Sequence, residues 1–121
     1  MPILVTNNIL VKTNYENTFR TDYREDSLYG VLIRVRDYIH DGHILLTHPL
    51  SGSVKPNETP YKSVLISDKS TGLDHDSLNL IESAAKSIKK FPPREIPEQY
   101  LPELREVDFT LIRSALNNHL S

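Results

Sequence analysis

The sequence predicts an α/β fold: a small, mostly parallel sheet of about four strands flanked by helices, with a Pro-rich segment leading to a C-terminal helix. Three observations predict it. Short apolar runs of β type at 2–5, 44–46 and 64–66 alternate along the chain with stretches of helical period. Two of those stretches repeat apolar residues at i, i+3, i+4 and i+7, which gives each a single face to bury. Residues 91–102 hold Pro92, Pro93, Pro97 and Pro102, which forbid a continuous helix there.

Taken in order, the run at 2–5 passes directly into Thr6, Asn7 and Asn8. A buried strand ending in small polar capping residues is the start of a β-turn-α unit, with a short helix over 9–16. Residues 19–24 alternate Phe19, Thr21 and Tyr23 with Arg20, Asp22 and Arg24, the pattern of a half-exposed edge strand. Leu28, Val31, Leu32, Val35, Tyr38 and Ile39 then form one helical face, with Arg34, Arg36 and Asp37 opposite. Asp26 or Ser27 caps this helix and Gly42 ends it. The continuous apolar runs at 44–46 and 64–66 predict interior strands covered on both sides. The 46–64 connection has no helical period, and both strand orientations stay open. Asp74 is placed to cap a helix whose face is Leu78, Ile81, Ala84, Ala85, Ile88 and Phe91, with Leu73 and Leu78 at staple positions. Lys86, Lys89 and Lys90 gather near its carboxyl end, where they complement the dipole; with Arg34 and Arg36 they read as solvated helix surface. The Pro-rich residues 92–102 predict an extended crossing over the domain. A last helix lies within 103–121, periodic from about Asp108, stapled by Val107 and Ile112 and burying Ile112, Ala115, Leu116 and Leu120. The whole, 1–121, reads as one domain.

Composition sets the outer bounds. The chain has 121 residues, a formal charge of −2, 38% hydrophobic and 25% charged residues, a normal globular balance. Near-neutral charge gives no electrostatic reason to expect nucleic acid or an acidic membrane surface. The absence of cysteine excludes disulfides, thiol catalysis and cysteine-ligated metal, and fits a cytoplasmic protein. No signal peptide or membrane span is expected, and no cofactor.

Candidate chemistry gathers where strands end. In open α/β sheets ligands collect at strand carboxyl ends, and Thr6, Asn7, Asn8, Thr47 and His48 all follow strands. The loop after His48 is stiffened by Pro49, Pro56 and Pro60. Ser51, Gly52 and Ser53 offer backbone N–H groups and hydroxyls, Asn57 and Thr59 further polar groups, and Lys55 and Lys62 positive charge. Together they predict a lid closing over the rim to hold a small anionic metabolite, a carboxylate or phosphate. The competing reading is that these groups satisfy the loop's own backbone. His48 with Glu58 or Tyr61 forms an acid–base pair if the fold brings them within reach. His40, His43 and His48 have no carboxylate spacing that completes a metal site, and none is expected. His75 and His119 read as helix surface.

Residues 35–67, Val-Arg-Asp-Tyr-Ile-His-Asp-Gly-His-Ile-Leu-Leu-Thr-His-Pro-Leu-Ser-Gly-Ser-Val-Lys-Pro-Asn-Glu-Thr-Pro-Tyr-Lys-Ser-Val-Leu-Ile-Ser, resemble the signature block of GrdX-type proteins, and Val-Thr-Asn-Asn at 5–8 is similar too. Such proteins accompany the glycine, sarcosine and betaine reductase systems of anaerobic bacteria. The resemblance implies an accessory role in amino-acid reduction, with a reductase subunit as possible partner, and supplies no catalytic residue. Lacking cysteine, this chain cannot itself provide the thiol or selenol chemistry of those reductases. Two further readings stand beside it: a small hydrolase or transferase using His48, and a homodimer packed through 92–102 and the last helix.

Overall fold

A computed structural model describes residues 1–50, 59–68, 72–90 and 95–117. The elements follow one another as β1 (Ile3–Thr6), α1 (Ile9–Tyr15), β2 (Arg20–Tyr23), α2 (Leu28–His40), β3 (Ser63–Ile66), α3 (His75–Lys90), a single 3-10 turn (Glu98–Tyr100) and α4 (Leu101–Leu116).

Among the described residues the sheet is three-stranded and mixed, ordered β2-β1-β3, rather than four-stranded and mostly parallel. β1 pairs in parallel with β2, Thr6 opposite Tyr23, through the short α1 crossover. It pairs antiparallel with β3, Thr6 opposite Ser63. The fourth strand expected at 44–46 is reduced to an isolated bridge between Leu45 and Ile66. Backbone pairing there is irregular, with Leu46 N donating to Leu65 O at 2.9 Å and Ser67 N to Ile44 O at 2.8 Å, and hydroxyl groups take the remaining N–H donors. Ile44 N donates to Ser67 Oγ at 2.8 Å, Leu45 N to Ser77 Oγ at 2.9 Å, and Leu65 N to Thr47 Oγ1 at 3.0 Å. Ile44 accordingly stands 40% exposed instead of interior.

Alternate residues of the two inner strands feed two cores, because successive side chains point to opposite faces. Ile3, Val5, Val64 and Ile66 pack with Val31, Leu32, Val35 and Ile39 of α2 and Ile81, Ala84 and Ile88 of α3. Leu4 and Leu65 pack on the other face with Val11, Tyr15, Phe19, Ile112 and Leu116, under α1 and α4. Each such fully buried aliphatic side chain contributes roughly 1.5–3 kcal/mol, which makes these two layers the main source of stability.

The caps follow the sequence. Asn8 Oδ1 accepts from Leu10 N at 3.1 Å and starts α1; Ser27 Oγ accepts from Gly30 N at 3.0 Å and starts α2. Gly42 closes α2 at φ 100°, a conformation open to glycine at little cost. Asp74 Oδ2 takes Ser77 N at 3.0 Å and Ser77 Oγ at 2.6 Å; these bonds hold its carboxyl below the usual range.

The last helix begins at Leu101, not near Asp108. Pro102 sits in its first turn, where a missing N–H costs nothing. Asp108 is therefore mid-helix and buried, on the same face as Ile112 and Leu116, while Val107 is 42% exposed and staples nothing. Phe91, Pro92, Pro93, His119 and Leu120 lie outside the described residues. Among the described residues no helix is long and apolar enough to cross a membrane.

Candidate functional site

Three polar constellations surround the carboxyl end of β1. The first is a chain of buried hydroxyls ending on a carboxylate. Asn8 N donates to Thr6 Oγ1 at 3.0 Å, Thr6 Oγ1 lies 2.7 Å from Ser63 Oγ, and Ser63 Oγ donates to Asp108 Oδ2 at 2.8 Å. Ser63 has one proton and gives it to Asp108, so Thr6 is the donor in the Thr6–Ser63 bond. Asn8 Nδ2 donates to the same Asp108 Oδ2 at 3.0 Å and to Arg105 O at 2.9 Å. Burial pushes the Asp108 carboxyl up, opposed by the bonds from Asn8 and Ser63 and by the charge of Lys62. Burial likewise pushes Lys62 down, with Asp108 opposing. This network clamps α4 to the ends of β1 and β3.

The second constellation is a socket for Arg34. Expected on a solvated face, this residue is only 8% exposed. Its Nε donates to Asp26 Oδ2 at 3.1 Å and Nη2 to Asp26 Oδ1 at 3.3 Å; Nη1 donates to Asp22 O at 3.1 Å and Oδ1 at 3.0 Å; Nη2 also reaches Thr6 O at 3.2 Å. Tyr38 Oη completes the socket, donating to Asp22 Oδ2 at 2.7 Å. Burial, then the Asp22 bond, raises the Tyr38 phenol. Every donor of the guanidinium is used, which requires a planar fork and cannot be met by lysine.

The third is an open cleft of about 470 Å³, lined by Asn7, Ile9, Tyr23, Glu25, Asp26, Tyr61 and Arg105. Asn7 forms its floor and is itself saturated: Nδ2 donates to Asp26 O at 2.8 Å and Pro60 O at 2.7 Å, and Oδ1 accepts from Lys62 N at 2.9 Å. One side chain thus joins the end of β1 to the start of α2 and to the segment entering β3. Arg105 reaches over from α4. Its Nη1 donates to Tyr61 Oη at 2.7 Å, and the guanidinium carbon lies 5.6 Å from the centre of the Tyr61 ring. The Tyr23 phenol is raised, chiefly by burial and then by Glu25, while Lys12 and Arg105 act against this. Tyr23 therefore stands within the electrostatic reach of both Glu25 and Arg105.

The residues singled out from sequence divide accordingly. Thr6, Asn8 and Lys62 come together at the buried network, and Asn7 and Tyr61 at the cleft. Thr47 is buried beside Leu65 across β3. His48 is exposed, and its Nδ1 accepts from Leu50 N at 3.0 Å. Thr59 Oγ1 accepts from Tyr61 N at 3.2 Å, turning the chain into the cleft wall. Ser51, Gly52, Ser53, Lys55, Asn57 and Glu58 lie outside the described residues. His43 Nδ1 lies 2.6 Å from Ser67 O, its ring edge-on to Tyr38, and among the described residues no three His, Asp or Glu side chains converge on a common point as a metal requires.

Sequence reasoning missed Arg105, Tyr23, Glu25 and Asp26. One signal was there: Pro102 marks the first turn of a helix, and starting α4 at Leu101 places Arg105 and Asp108 three residues apart on one face.

The family model described as GrdX-like protein matches residues 3–117. The chain belongs to the GrdX-like protein family. No curated protein and no solved structure matches it. The matched span contains α1 to α4, β1 to β3 and the described lining residues of the cleft.

Proposed function

We propose that this GrdX-like protein is an accessory component of glycine, sarcosine or betaine reduction, working in the cytoplasm and binding a small carboxylate-bearing ligand in the cleft above Asn7. The observation that carries the ligand is Arg105. Arg105 lines an open cleft at the carboxyl ends of the parallel pair β1 and β2, and among the described residues its guanidinium is tied to the wall by the Nη1 bond to Tyr61. A guanidinium fork matches a carboxylate bidentately, and the strand ends of an α/β sheet are where such ligands collect. The cleft volume falls in the range of small-molecule sites, roughly 300–1,000 Å³. Family membership supports the reductase setting.

A reductase subunit meeting the 47–62 stretch belongs to the same proposal, and exposed His48 supports it as a contact. The reading of His48 as catalytic base with Glu58 or Tyr61 has less support: Nδ1 is engaged with Leu50 N, and the cleft is lined without His48.

The test is a thermal-shift titration of wild type and Arg105→Gln with small carboxylates, acyl phosphates and nucleotides. Ligands that bind the native state raise the midpoint. Stabilisation by carboxylates that disappears in Arg105→Gln supports the reading; no shift with any carboxylate ends it.

A further inference from the structure

We propose that the cleft is built for a zwitterion, holding a ligand's carboxylate at Arg105 and its ammonium group at Glu25. This deepens the carboxylate reading and rests on it.

The evidence is a difference in how charges around the cleft are matched. Asp26 lines the cleft, but both its oxygens accept from Arg34, at 3.1 and 3.3 Å. Lys12, whose Nζ lies 5.9 Å from the centre of the Tyr23 ring, is paired with Glu16 at 3.2 Å. Two charges remain. Arg105 gives one N–H to the Tyr61 hydroxyl, and among the described residues Glu25 forms no hydrogen bond or ion pair. They line the same cleft, and no ion pair within 4.0 Å joins them. Opposite charges facing one cavity without meeting are complementary to a molecule that carries both signs. A bare carboxylate reaching Arg105 meets the repulsion of Glu25 and leaves that carboxylate unanswered. A zwitterion answers both.

The walls between the two charges suit such a ligand. Tyr23 and Tyr61 line the cleft, each with a protein cation over its ring, Lys12 at 5.9 Å and Arg105 at 5.6 Å, and Ile9, 45% exposed, adds an apolar edge for carbon substituents. Aromatic faces attract ammonium groups, including alkylated ones, through the ring quadrupole. Recognition at both ends also discriminates, because removing either ligand charge leaves a protein charge without its partner.

The test compares a panel of free α-amino acids with their N-acetyl derivatives and their amides by titration calorimetry, on wild type and Glu25→Gln. Glu25 is exposed and outside every helix and strand, so this variant keeps the fold. The expected result is binding of at least one free amino acid, weakened tenfold or more by N-acetylation, by amidation and by Glu25→Gln. The N-acetyl form is expected to bind Glu25→Gln at least as well as wild type. If N-acetyl derivatives bind wild type as tightly as free amino acids, the zwitterion proposal fails and the carboxylate reading survives. If neither class binds, both fail together.

Discussion

Two arginines approach the end of β1 from opposite helices, and they are treated in opposite ways. Arg34 of α2 is enclosed, its five N–H groups all spent on Asp22, Asp26 and Thr6. Arg105 of α4 stands in an open cleft with one bond to Tyr61. A buried charge must be fully matched or it destabilises the fold, whereas a charge kept for a ligand must be left incomplete. The contrast separates residues that make the structure from residues that use it. Asn7 belongs to the first group even though it floors the cleft, because its side chain is fully committed to backbone partners.

Substitutions break that contrast by predictable amounts. Arg34→Met leaves Asp22 and Asp26 without their buried partner and is expected to cost about 3–5 kcal/mol of unfolding free energy, measured by urea denaturation; a loss below about 1 kcal/mol would show that the socket is not a structural charge. Asn7→Ala removes three bonds and strands the Lys62 N–H, at a cost of roughly 1–3 kcal/mol, read by the same method. Asp108 gives a pH signature. Its carboxyl is raised by burial, so the stabilisation linked to its protonated form is fully present below the unfolded value and fades as pH rises through the folded one. The stability of wild type relative to Asp108→Asn should therefore increase as pH falls from neutral toward the ordinary carboxylate range, then level off; a pH-independent difference would contradict the assignment. Arg105→Gln is the smallest in stability, within about 0.5 kcal/mol as for a surface change, yet it should abolish carboxylate binding.

Much of the scaffold was legible because it depends on local period and capping. The apolar spacing of α2, its Ser27 cap and Gly42 stop, the Asn8 and Asp74 caps and the edge character of β2 all follow from neighbours in the chain. The failures share a cause: each depends on a partner distant in sequence. Ile44, Leu45 and Leu46 have strand composition, but the Ser67, Ser77 and Thr47 hydroxyls take the N–H groups of Ile44, Leu45 and Leu65, which breaks the regular ladder. Arg34 lies on the polar arc of its helix, and only the return of Asp22 and Asp26 to that arc buries it. Asp108, just before an apolar run, resembles an N-cap; tertiary contact with Asn8 and Ser63 makes it an interior residue instead. The cleft was hardest to see, since its lining comes from four separate places in the chain: Asn7 and Ile9, Tyr23 to Asp26, Tyr61, and Arg105.

The most direct measurement is an amide chemical-shift titration of the ¹⁵N-labelled protein with a free amino acid that stabilises it. Saturable shifts centred on Tyr23, Glu25, Tyr61 and Arg105, with the Arg34 socket nearly still, are the predicted result. Shifts centred on His48 or on the α2–α3 side, with those four amides unmoved, would contradict the account.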